Sequence, residues 1–115
     1  MSVNPIRAEK ELVLGDKTYK ARVSLDTIKR IESSLGSGLM AVANKLSTGE
    51  IMMDHMVTII YLSIRAGGND VTENDVNQLI NDKVGYVGAI KLVGELLALA
   101  LDISYEPADQ KKTNP

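Results

Sequence analysis

The chain has 115 residues, 44% of them apolar and 24% charged, which is the balance of one ordinary globular domain and excludes a disordered polymer or a two-domain protein. It contains no cysteine, so disulfides and thiolate metal sites are excluded and the interior must hold by packing alone. The net charge of -2 hides a split, with 9 basic and 7 acidic side chains in residues 1–65 but 2 and 8 in residues 66–109; basic runs stay short and tyrosines are the only aromatics, which argues against nucleic-acid binding.

Met1 to Arg7 carries no apolar stretch after its charges and is not expected to act as a secretory signal. From Glu9 to Val23 the chain alternates, with Leu12 and Leu14 on one face, then Gly15-Asp16, then Tyr19, Ala21 and Val23, a hairpin signal. Gly15 at the first central position fits a type II′ turn and pairs Leu12 with Tyr19. The same register sets Glu9 opposite Arg22 and Glu11 opposite Lys20, two favourable cross-strand pairs. An isolated hairpin is marginal in water, so its apolar face is expected to lie on helices or to extend into a sheet with another chain.

Ser24 is placed to cap a helix over Leu25 to Leu35, with Leu25, Ile28, Ile31 and Leu35 in one stripe, and Gly36 ends it. A second short helix holds Leu39, Met40, Val42, Ala43 and Leu46 and closes at Thr48-Gly49. The third starts near Met52 to Asp54 and runs to about Ala66, with Met53, Met56, Val57, Ile60 and Ile64 facing inward, before Gly67-Gly68 breaks it. Thr72 and Asp75 form a capping box for a fourth helix carrying Val76, Leu79 and Ile80. The last helix, about Tyr86 to Ile103, is apolar nearly all round over Leu96 to Leu101, a pattern that requires enclosure on most sides. The stretch Val84 to Leu101 is interrupted by Lys91 and Glu95 and falls short of the roughly 20 apolar residues of a membrane span. No membrane partner is expected. The polar, proline-containing segment 105–115 is expected to be disordered.

Asp70, Thr72 and Asn74 alternate like the opening of a calcium loop, but Asp75 stands where the sharp turn needs glycine. His55 is the only histidine and lacks partners for a zinc site or a nucleophile pair. Gly85, Gly88 and Gly94 match no phosphate-binding pattern, and close backbone packing is the expected reason for Gly88 and Gly94 in a helix. No catalytic, cofactor or metal residue is therefore assigned, and no enzyme is expected. The residues assigned to a protein-binding surface are Met52, Met53 and Met56, whose flexible thioethers can line a permissive groove, and Leu96, Leu97, Leu99 and Leu101 of the last helix. Core filling is the commoner use of both groups.

Taken in order, Asn4-Pro5 with Arg7, Glu11 and Leu12-Val13-Leu14 before Gly15, Tyr19 with Arg22, Ile31-Glu32 closing on Gly36, the Leu39 to Leu46 helix ending at Gly49, the helix ending before Gly67-Gly68 and the leucine-rich last helix resemble a family of short proteins from the tail modules of phages and gene transfer agents. Its members are described as tail assembly chaperones or tail tube proteins, and the resemblance spans about residues 4–101; Met52-Met53 and Met56 depart from its usual helix start. It implies a chaperone that coats the tape measure protein, meets the tail tube protein as a second partner, and works in the cytoplasm of the bacterial host. The fold expected from the residues is α+β, one domain over residues 1–104 with a hairpin at about 9–23 and four to five helices at about 25–103, self-associating through the hairpin edge or the last helix. Two rivals are a tail tube or connector subunit retained in the particle, and a helix-turn-helix regulator built on Thr72 to Leu101.

Overall fold

Gly15 takes φ +72°, the left-handed backbone that the first central position of a primed two-residue turn demands. It joins β1 (Glu9–Leu14) to β2 (Lys17–Arg22) in the computed structural model of the protein, which describes residues 9–104. The strands pair antiparallel in the expected register, Leu12 opposite Tyr19, Glu11 opposite Lys20 and Glu9 opposite Arg22. Arg22 Nη1 donates to Glu9 Oε2 at 3.2 Å, whereas Lys20 Nζ reaches diagonally to Glu9 Oε1 at 3.9 Å. On the other face Leu12, Leu14, Ala21 and Val23 are at most 1% exposed, because β2 lies along α3 (Met53–Ala66). The hairpin thus gains from helices the cover that a two-stranded ribbon lacks in water.

Three helices start where a side chain satisfies a free backbone N–H. Ser24 Oγ accepts from the Thr27 N–H at 3.3 Å and opens α1 (Leu25–Leu35). Gly38, before α2 (Leu39–Thr48), brings no side-chain cap; Glu32 of α1 supplies one across the turn, its Oε2 accepting from the Leu39 N–H at 2.8 Å. A carboxylate there also sits favourably against the helix dipole. The Thr72 and Asp75 side chains exchange hydrogen bonds with each other's backbone N–H at 2.9 and 3.0 Å, completing the capping box of α4 (Glu73–Leu79). This helix runs on through one π-helical turn, Ile80–Val84, to Gly85, where the long α5 (Gly85–Ser104) begins.

The third helix is the axis of the fold and packs against β2, α1, α4 and α5. Met56, Ile59, Ile60, Ser63 and Ile64 are completely buried along it, and Ser63 is satisfied by donating to the Ile59 carbonyl at 2.8 Å. From α5, Ala89, Leu92, Val93, Leu96, Leu97 and Ala100 enter the same core. The architecture is α+β, a hairpin followed by helices, as the sequence predicts.

Three expectations are corrected by the packing. Leu25 and Met53 belong to inward stripes by spacing, yet they are 58% and 37% exposed; each is the first residue of its helix. Thr27 and Ile59 are buried in the same helices. Gly94 meets only the end of the Leu46 side chain, and a Cβ at Gly88 would meet Val84 of the preceding turn, so neither marks a close approach to another element's backbone. That approach occurs at Gly67, where a Cβ would fall on the Lys20 carbonyl. Lys20 sits opposite Glu11 at a position whose backbone groups point away from β1, and Asn69 Nδ2 donates to its carbonyl at 2.8 Å and to the Ile64 carbonyl at 2.9 Å. The segment after α3 thereby closes the outer edge of β2 at that point. The tail expected to be disordered, 105–115, lies outside the described residues.

Candidate functional site

The residues assigned to a binding surface divide into two groups. Met56, Leu96 and Leu97 are 0%, 1% and 3% exposed; they hold the core, and a partner reaches them only if the fold opens. Leu99 and Leu101 are half-buried against that core. Met52 and Met53 stand out at the start of α3 with 58% and 37% exposure, directly after the buried Ile51. Met40, in the first turn of α2, is 69% exposed. Unbranched thioethers adapt to varied apolar surfaces at low steric cost, so these methionines are the part of the assigned surface that a partner can touch.

The stretch expected to fall short of a membrane span is, by length and composition alone, long and apolar enough to cross one as part of the helical stretch Glu73–Asp102. In this fold Ala89, Leu92, Val93, Leu96, Leu97 and Ala100 of α5 are buried in the core shared with α1, α2 and α3, while Tyr86 and Val87 stay exposed. Among its described exposed positions, Gly85, Tyr86, Val87, Lys91, Ala98 and Asp102, a single base is present, a poor surface for a DNA groove. His55 is half-buried in the first turn of α3. Among the described residues no group of acidic or histidine side chains is arranged to hold a metal ion.

Three surface grooves differ in charge. One, between the start of β2 and the α4 region, is lined by Lys17, Lys83, Asp75 and Asp82 with Tyr19 and Gln78, two bases against two acids. A second, of about 420 Å³, lies where the end of β2, the start of α1 and the last turns of α3 meet, and its lining includes Arg22, Arg30, Arg65, Asp26 and Tyr61. A third, of about 290 Å³, is lined by Asp54 and Val57 of α3 and Glu73, Asn74 and Asn77 of α4. Sequence spacing did not reveal the second groove, because its arginines come from three elements separated by up to 43 positions. The available signal was the choice of arginine over lysine at those positions.

The sequence profile of the family described as "Phage tail tube protein, GTA-gp10" matches residues 7–102, nearly the whole span of hairpin and helices. Among curated proteins and among solved structures, none matches significantly.

Proposed function

This chain belongs to the phage tail tube protein, GTA-gp10 family and has a tail-related role; on that premise we propose that it is a non-enzymatic tail assembly chaperone that binds the tape measure protein in the cytoplasm of the bacterial host. The observation that carries the proposal is the exposed Met40, Met52 and Met53 at the starts of two helices in a chain whose only sheet among the described residues has two strands. A tape measure chain with repeated apolar helix stripes is the kind of partner that such adaptable side chains accommodate. Such binding needs no cofactor.

The family's description favours a second reading, a tail tube subunit that stays in the particle. A sheet of two strands, with Asn69 closing β2 at Lys20, offers little edge from which to build a tube by strand pairing. Co-expression with the tape measure protein of the same gene cluster, followed by pull-down and by mass spectrometry of purified particles, separates the two. Capture together with absence from particles supports the chaperone. Presence in particles at the copy number of the tube, without capture, overturns it in favour of the subunit.

A further inference from the structure

The pairing of β1 with β2 leaves one row of backbone groups without partners. In an antiparallel pair, alternate residues exchange hydrogen bonds with the facing strand, and those between point their N–H and C=O outward. The pair that closes the turn is Leu14 and Lys17, so Leu12 also bonds inward while Glu11 and Val13 present their backbone groups to the outer edge of β1. The same alternation turns the Lys20 carbonyl outward from β2, and there Asn69 meets it at 2.8 Å. No such closure exists on β1: among the described residues, none bonds to Glu11 or Val13 from beyond the strand pair. The sheet therefore has one closed edge and one open edge.

The side chains along the open edge are equally unsatisfied. Glu9, Glu11 and Val13 alternate onto the same outer face of the hairpin, where the branched side chain of Val13 is 59% exposed. The register sets Lys20 opposite Glu11, but its ammonium leans to Glu9 at 3.9 Å, and Arg22 reaches the same carboxylate at 3.2 Å. Glu9 takes both bases, and among the described residues Glu11 keeps no ion-pair partner. A strand laid beside β1 sets one side chain directly opposite Glu11 and another, two positions along, opposite Val13. Lysine or arginine answers the first and a branched apolar residue the second. A second copy offers the reverse, since its own β1 would gather Glu9 and Glu11 of both chains on one face, and like charges oppose such pairing.

We propose that the open edge of β1 takes up an extended segment of another protein by strand addition, Glu11 and Val13 selecting a segment in which basic and β-branched apolar residues alternate. In this mode main-chain hydrogen bonds supply the hold and alternate side chains the selection. The contact uses none of the exposed methionines, and it does not depend on whether the chain acts as a chaperone or as a tube subunit.

The test follows amide hydrogen exchange of the purified full chain by NMR while a peptide of alternating lysine and valine is added. A peptide of the same composition in two blocks, and one of alternating glutamate and valine, serve as controls. In the free chain the Glu11 and Val13 amides should exchange fast beside a protected Leu12 amide, and only the alternating lysine peptide should slow them. Val13→Pro removes an N–H that serves the edge alone, a position where strands accept proline, and should weaken peptide binding by about tenfold or more. Glu11→Lys should weaken the lysine peptide and admit the glutamate one. Protection of the Leu12 amide shows that each variant keeps its hairpin, and Glu11→Lys carries the test alone should Val13→Pro lose it. Edge amides already protected in the free chain would overturn the proposal, assigning the edge to the chain itself or, if protection grows with concentration, to a second copy. Equal protection by the block peptide, no protection by any peptide, or an affinity that neither variant changes would overturn it as well.

Discussion

Replacing Gly67 with alanine adds one methyl group at a position whose backbone, φ -77° and ψ -2°, suits alanine well. On local grounds Gly67→Ala should stabilise the chain by about 0.4–1 kcal/mol, because alanine restricts the unfolded state more than glycine does. The tertiary structure reverses that sign. The new Cβ would fall on the Lys20 carbonyl oxygen, with the carbonyl carbon at 2.7 Å and Ala21 Cα at 3.2 Å. These obstacles are backbone atoms of β2, held by the ladder to β1 and by the fully buried Ala21, and they cannot rotate aside as a side chain would. The end of α3 must therefore lift from β2. Overpacking of this kind costs about 1–3 kcal/mol, and stretching the 2.8 Å bond from Asn69 to the same carbonyl adds about 1 kcal/mol. The expected loss is about 2–4 kcal/mol, or a fall in melting temperature of roughly 10–25 °C for a domain near this size. Thermal melts by circular dichroism, repeated in urea, measure it. A melting temperature equal to or above that of the parent chain would refute the close approach and leave only the local effect of the substitution.

Leu97→Asp should abolish cooperative folding, since the side chain is 3% exposed and an ionised carboxylate in that core has no partner; a native circular dichroism spectrum would show that α5 is packed differently. Glu32→Ala removes the carboxylate that caps Leu39 and should cost about 1 kcal/mol, read as a lower urea midpoint with unchanged slope. An unchanged midpoint would mean that water serves the α2 terminus equally well. The double variant Met52→Ser/Met53→Ser should lower stability by no more than about 1 kcal/mol, because Met52 is 58% exposed and Met53 37% exposed, while weakening capture of the tape measure protein. Undiminished capture would remove these methionines from the proposed binding surface.

The features legible in the sequence are those set by neighbours a few residues apart. Gly15-Asp16 and the alternation around it fix the hairpin register, which the structure reproduces pair by pair. Ser24 and the Thr72 and Asp75 box are local hydrogen-bonding devices, and they cap the helices they precede. The apolar spacing of Met56, Ile60 and Ile64 places them inward because a helical period is itself a local property.

Periodicity finds the apolar side of a helix but not how far its packing partner extends, so Leu25 and Met53 were expected inside and stand outside. It also cannot tell a partner surface from a core, and the seven residues assigned to binding therefore divide between exposed Met52 and Met53, buried Met56, Leu96 and Leu97, and half-buried Leu99 and Leu101. The decisive contacts missed by the sequence join distant segments: Gly67 against Lys20, Asn69 to the same carbonyl across 49 positions, and Arg22, Arg30 and Arg65 around one groove. Hairpin, caps and helical faces follow from the sequence because their energies depend on residues within one or two turns of one another. The closed edge of β2 and the gathering of Arg22, Arg30 and Arg65 around one groove exist only once the chain has been brought together, because their atoms meet through tertiary packing.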